Sequence, residues 1–153
     1  MNNLLLGGND LLNQRNRIGI YLKEAAIEFD KKSNVLLAQF QLTQPQFNLL
    51  SCLMVNQDRA VRQVDLEKQF KLSSPTVTRL LHQLETKGFV KRIPNPDDAR
   101  SKQIALTAKA LAKQDVLLDS ADQLETDIRT GLNDSELKSG INFMKKVLKN
   151  LEN

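Results

Sequence analysis

The chain has 153 residues, 41% of them hydrophobic and 26% charged, with a formal net charge of +4. That length suits one compact unit, or a small domain with an oligomerisation element. Its single cysteine excludes an intramolecular disulfide and fits a reducing cytoplasm, and no apolar run approaches the about 20 residues that cross a bilayer.

Residues 11–37 are expected to be mostly helical, because Leu11, Ile18, Leu22, Ala25, Phe29 and Leu36 recur near heptad spacing. Gln41-Leu42-Thr43 breaks that pattern. Thr43-Gln44-Pro45-Gln46 then has the form of a capping box, opening a second helix with Phe47, Leu50, Leu53 and Met54 inward. A polar loop at 56–59 follows, and Val61 reads as a short strand. Residues 63–70 form a short helix with Val64, Leu66 and Phe70 turned inward, and Lys71-Leu72 is a tight turn.

The segment 72–107 carries the most information. Ser73-Ser74-Pro75 supplies a helix start, with hydroxyls to cap and a proline suited to the first turn. Val77, Leu80, Leu81 and Leu84 make one apolar stripe, opposite Pro75, Arg79, His82, Gln83 and Thr86 and flanked by Thr76 and Thr78. Gly88 stops the helix. Residues 89–93 and 102–106 are strand-like, with turn chemistry at 94–98 between them. After the hairpin, Thr107 caps a long helix with Leu111, Leu118, Ala121, Leu124 and Ile128, ending near Gly131. Asp134 or Ser135 caps a last helix with Leu137, Ile141, Met144, Leu148 and Leu151 in 4-3-4-3 spacing.

The fold expected from these elements is mainly α with a small β-hairpin wing. A winged helix–turn–helix domain occupies residues 41–107, between dimerisation helices at 1–40 and 108–153. A small winged domain cannot cover three further apolar stripes, so a homodimer is expected to cover them. The alternative is that the outer helices fold back on their own domain.

Charge points to the partner. Between Arg59 and Lys102 ten Lys/Arg face five Asp/Glu, a net of +5, whereas the rest of the chain carries a net of −1. A polyphosphate partner rewards such asymmetry through counterion release, so double-stranded DNA is the expected partner. The competing class is a winged helix used as a protein–protein interaction module; such modules typically lose the basic face and the wing arginine. An enzyme is disfavoured. The chain has no Walker loop, dinucleotide fingerprint, CxxC or HExxH, no nucleophile–base pair, and one His with one Cys, so neither cofactor nor metal is expected.

Ser74, Thr76, Thr78 and Arg79 are the candidate contacts in a major groove. Arg79 is the base reader, since a guanidinium donates two hydrogen bonds to guanine O6 and N7, and the hydroxyls suit phosphates. Ser73 and Ser74 have a structural reading as caps beside the DNA-binding one. His82 suits a phosphate contact or a solvated position equally. Arg100 at the wing tip is suited to a narrow minor groove, held by Asp97 or Asp98; a solvated pair is the plainer reading. Lys91 and Lys102, with Lys87 and Arg92, flank the unit and touch phosphate or raise the local potential. Cys52, among apolar residues of the second helix, reads as a small buried hydrophobe rather than a sensor.

The segments LTQPQFNLL, SSPTVTRLLHQLETKGFVKR and PDDARSKQIALT, in this order between long outer helices, resemble the MarR family of bacterial transcription regulators. The resemblance implies a cytoplasmic homodimer, usually a repressor on a palindromic operator, with the Asp–Arg wing pairing as a family feature. Many members are released by small phenolic or other lipophilic effectors, and some by cysteine oxidation. The implied effector pocket, between the dimer helices and the winged domain, would involve Tyr21, Phe29 and Phe47, which core packing explains equally. Two departures stand out. Lys71 replaces a common glycine; a left-handed lysine costs roughly 1 kcal/mol, so a different turn is expected. Cys52 lies outside the first helix, where the peroxide-sensing branch keeps its cysteine.

Overall fold

Seven helices and a β-hairpin follow one another along residues 17–95 and 98–152. These are the residues that the computed structural model describes, the side chains of Ala99 and Arg100 excepted. The helices are α1 (Ile18–Ala38), α2 (Gln44–Val55), α3 (Gln63–Phe70), α4 (Ser74–Thr86), α5 (Ala108–Ala112), α6 (Gln114–Arg129) and α7 (Asp134–Leu151). The hairpin, β1 (Val90–Asn95) and β2 (Asp98–Leu106), lies between α4 and α5. The expected start of the first helix at Leu11 lies outside the described residues.

The expected breaks are made by backbone chemistry. After α1 the chain turns through Gln41, at φ 56°. The capping box opens α2, with Gln46 Oε1 accepting from the Thr43 N–H at 3.2 Å. Phe47, Leu50, Leu53 and Met54 are buried as expected, and Leu49 joins them. In α1 only Ser33 and Leu37 are buried; the Ser33 hydroxyl donates to Gln44 Oε1, pinning α1 to α2.

In α3, Leu66 is buried and Phe70 half-buried, but Val64 is exposed, against expectation. Val64 sits roughly 200° round the helix from Leu66, and so short a helix buries only one edge. The turn after α3 keeps the left-handed geometry: Lys71 has φ 52° and ψ 39°. The Leu72 N–H donates to the Glu67 carbonyl at 3.1 Å, closing that turn. The expected change of turn geometry does not occur; the lysine bears the strain instead.

Val77, Leu80, Leu81 and Leu84 of α4 are buried to 2% exposure or less. They pack with α2, α3 and β1. Gly88, at φ 75°, ends the turn, and the Phe89 N–H donates to the Leu84 carbonyl at 2.9 Å. The hairpin is antiparallel from Val90↔Leu106 to Pro94↔Lys102, with an irregularity at Pro94/Asn95. It runs longer than expected, taking in part of the predicted turn. The expected strand at Val61 shrinks to one bridge, Arg62↔Gln103, in which the Ile104 N–H donates to the Val61 carbonyl at 2.8 Å.

The expected long helix after the wing is two. Thr107 caps α5, its hydroxyl oxygen accepting from the Ala110 N–H at 3.2 Å, and Lys113 then breaks the run at φ −103°, ψ 0°. The break re-phases the apolar stripe. Leu117 and Leu124 are buried, Leu118 is half-buried, and Leu111 and Ile128 are exposed. The cap of α7 is Asn133 rather than Asp134 or Ser135, in a reciprocal box with Glu136 at 2.9 and 3.0 Å. That helix buries no residue; Ile141, Met144, Leu148 and Leu151 are 42–74% exposed.

Relieving the strain at Lys71 gives the first prediction. Lys71→Gly should raise stability by about 0.5–1 kcal/mol, as removal of the left-handed penalty outweighs the glycine's unfolded-state entropy. Lys71→Ala should stay within about 0.5 kcal/mol of wild type, because the Lys71–Glu152 pair at 2.5 Å is exposed on both sides. Urea midpoints at unchanged m distinguish the two.

Candidate nucleic-acid interface

Burying one stripe of α4 fixes what the opposite stripe presents. Ser74, Pro75, Thr78, Arg79, His82 and Gln83 line one open depression on its outer face. The Arg79 and His82 side chains are exposed and make no hydrogen bond or ion pair among the described residues, while the His82 carbonyl accepts from Thr86 Oγ1 at 2.9 Å. Ser73 is the N-cap by backbone conformation, yet its hydroxyl caps no N–H; it pairs with the Thr76 hydroxyl at 2.8 Å. Thr76 is half-buried on the flank of the helix. Of the residues expected to enter a groove, Ser74, Thr78 and Arg79 therefore share a surface and Thr76 stands beside it.

The wing divides its lysines. Cross-strand partners share a face and neighbours along a strand alternate. Arg92 opposite Ile104 and Pro94 opposite Lys102 thus lie on one face, and Lys91 opposite Ala105 on the other. Lys91 and Lys102 are both exposed but on opposite sides of the hairpin. Asp98 begins β2, exposed. Asp97 and the Arg100 side chain lie outside the described residues.

Several cations of the basic stretch are engaged within the fold. Arg92 Nε lies 3.3 Å from Glu85 Oε1. Arg62 grips Asp65 through two bonds of 3.1 Å, which holds the Asp65 carboxyl below the usual carboxylate range. Lys87 donates to the Gln41 carbonyl and, at 2.8 Å, to Gln46 Oε1. The buried Gln46 donates onward to Gln83 Oε1 at 2.9 Å, tying α2 to α4. The side chains of Arg59, Lys68, Arg79, Lys91 and Lys102 make no hydrogen bond or ion pair among the described residues, though Arg59 acts at longer range on Cys52 and Lys68 on Asp65. Sequence reasoning missed the glutamines: Gln46, Gln63 and Gln83 join helices across 11 to 37 residues, and no local pattern marks such bonds.

Phe29 and Phe47 line a cavity of about 120 Å³ between α1, α2 and α6, with Ser33 and Leu124. Tyr21 does not join them, being 58% exposed on α1. The cavity is far below the about 300–1,000 Å³ of drug-sized ligand sites. Cys52 is half-buried against the core, and burial pushes its thiol up, with Arg59 opposing. A raised thiol carries little thiolate, which suits packing better than sensing. No helix among the described residues is long and apolar enough to cross a membrane.

Helix, left-handed turn, outward-facing helix and hairpin, in this order, define a winged helix–turn–helix protein. The MarR family model matches residues 42–102. The regulator SarZ of Staphylococcus saprophyticus is 32% identical over 126 residues, 82% of this chain and 81% of that protein. The multiple antibiotic resistance protein MarR of Escherichia coli K12 is 28% identical over 142 residues, 92% and 96% of the two chains. The solved complex of S. aureus MepR with DNA superposes with a TM-score of 0.81 at 26% identity, over 88% of this chain and 98% of that one. The chain belongs to the MarR family.

Lys87 separates a structural cation from a DNA-facing one. Lys87→Met should cost about 1–2 kcal/mol in urea unfolding, because it strips charge-assisted bonds from Gln41 and Gln46. The same variant should leave the salt dependence of DNA binding at the wild-type slope.

Proposed function

We infer that this chain is a sequence-specific, double-stranded-DNA-binding transcriptional regulator, a cytoplasmic homodimeric repressor acting on a palindromic operator. The observation that carries the reading is the outer stripe of α4: Ser74, Thr78, Arg79 and His82 exposed together on the second helix of a helix–turn–helix. A helix so presented fits a major groove, with Arg79 reading a base and Ser74 and Thr78 on phosphate or base edges. Ser73, Thr76 and His82 are assigned supporting phosphate contacts. Lys91 and Lys102, one on each side of the hairpin, suit the backbone beside the wing. Arg100, with Asp97 or Asp98, is assigned to the minor groove. Family membership, and a relative solved on DNA, support this reading over an enzyme or a protein-interaction module.

Residues 41–107 are the proposed DNA-binding unit, and 1–40 with 108–153 the dimerisation elements. The exposed apolar stripe of α7 and the exposed Ile18, Ile20 and Tyr21 of α1 support a second copy as their cover. The twofold axis then gives two reading helices about 34 Å apart, the repeat of one DNA turn. A small lipophilic or phenolic effector at Phe29 and Phe47 is consistent with the family, and would act by favouring a dimer with the wrong spacing.

Fluorescence anisotropy tests the DNA reading, with the duplex upstream of the chain's own gene against a scrambled duplex at two salt concentrations. A preference of about 10³-fold or more, falling steeply with salt, is expected. Arg79→Ala should cost about 1–3 kcal/mol on the preferred duplex and relax its base preference. Absence of binding at low salt would favour the protein-interaction module instead. For the dimer, Ile141→Lys with Leu148→Lys should give a monomer by sedimentation, whereas an unchanged mass would refute α7 as the interface.

A further inference from the structure

Gln63, the first residue of α3, touches both DNA-facing parts of the domain. Its Nε2 carries two protons, and the two shortest contacts take them: Glu67 Oε1 at 2.9 Å and Thr78 Oγ1 at 2.8 Å, with Ser74 Oγ further off at 3.3 Å. Its Oε1 accepts from Arg92 Nη1 at 3.5 Å, and Arg92 in turn meets Glu85 at 3.3 Å. The amide cannot turn over in this setting. A guanidinium only donates and an ionised carboxylate only accepts, so the amide oxygen faces Arg92 and the NH₂ faces Glu67. Both hydroxyls of α4 lie on the NH₂ side.

A free hydroxyl rotates to donate or accept as its partner requires. One whose lone pair is engaged by a fixed donor cannot turn its proton toward that neighbour, and is biased to present it outward. Resting on the DNA-binding reading above, we propose that Gln63 is a positioning residue that sets Thr78 as a hydrogen-bond donor toward DNA. Thr78 then favours acceptor groups as partners: phosphate oxygens, or guanine O6 and N7, thymine O4 and adenine N7, over the amino groups of cytosine and adenine. Through Arg92 the same side chain ties the reading helix to the first wing strand.

The test uses the full chain and a duplex enriched from a random library by the wild-type protein, with a random duplex beside it. Gln63→Met, close in shape without the amide, should weaken the selected duplex about 5- to 10-fold, the worth of one directed hydrogen bond. Thr78→Val should do the same, and the double variant should bind no worse than Thr78→Val alone, because both remove one coupled unit. Gln63→Glu should bind more weakly than Gln63→Met, since a carboxylate takes the hydroxyl proton inward. Circular dichroism and the thermal midpoint of each variant establish that it is folded. Loss confined to the selected duplex assigns the hydroxyl to a base edge, and equal loss on both assigns it to phosphate. Wild-type affinity for Gln63→Met, or losses that multiply in the double variant, would overturn the proposal. A wild-type protein that enriches no duplex would instead overturn the DNA-binding reading.

Discussion

Everything at the interface depends on the seating of one stripe of α4. Val77, Leu80, Leu81 and Leu84 are almost wholly withdrawn from water. Each such side chain contributes about 1.5–3 kcal/mol on burial. They pack with α2, α3 and β1, so three elements agree on the rotation of a helix of 13 residues. With that rotation set, Arg79 and His82 have nowhere to point except outward. The hydrophobic core is thus what aims the polar face, and no hydrogen bond to Arg79 is needed to hold it there.

Polar groups at the edge of this core divide into those that brace the fold and those left for a partner. The ten cations of the winged unit overstate how many are open to a partner. Arg62 is matched by Asp65, Arg92 by Glu85, and Lys87 is spent on carbonyl oxygens of the α1–α2 turn and of Gln46. Such exposed and half-exposed pairs add little stability each, but they place the remaining cations. Arg79 on the helix, and Lys91 and Lys102 on the two sides of the hairpin, stay open. The glutamines do the complementary work of joining elements without adding charge to a surface that meets polyanion.

Outside the winged unit the single chain leaves many of its apolar residues in water. The last helix shows Ile141, Phe143, Met144, Leu148 and Leu151, and α1 shows Ile18, Tyr21, Ile27 and Val35. Isolated exposed apolar residues are ordinary; a regular stripe along a helix that buries nothing marks a surface with a partner. Of these two helices, α1 also borders the small Phe29–Phe47 cavity, together with α2 and α6.

Much of this was legible in the sequence, because its strongest signals are local. The Thr43 box, the 63–70 helix, the apolar stripe of α4, Gly88 and the Thr107 cap each depend on residues within one or two turns of the chain. What failed was phase over longer runs. A stripe read through Lys113 placed Leu111 inside, whereas the break there turned Leu117 inward instead. Val64 was misplaced because a helix of eight residues carries too little periodicity to choose its edge. Composition and local pattern by themselves determined the class of fold, the outward-facing helix α4 and its exposed residues. Only the tertiary structure decided that Lys87 is spent on Gln41 and Gln46, that Lys91 and Lys102 face opposite ways, and that Gln63 meets Thr78. Those are contacts between elements far apart in sequence, and their geometry exists only once the core has brought the elements together.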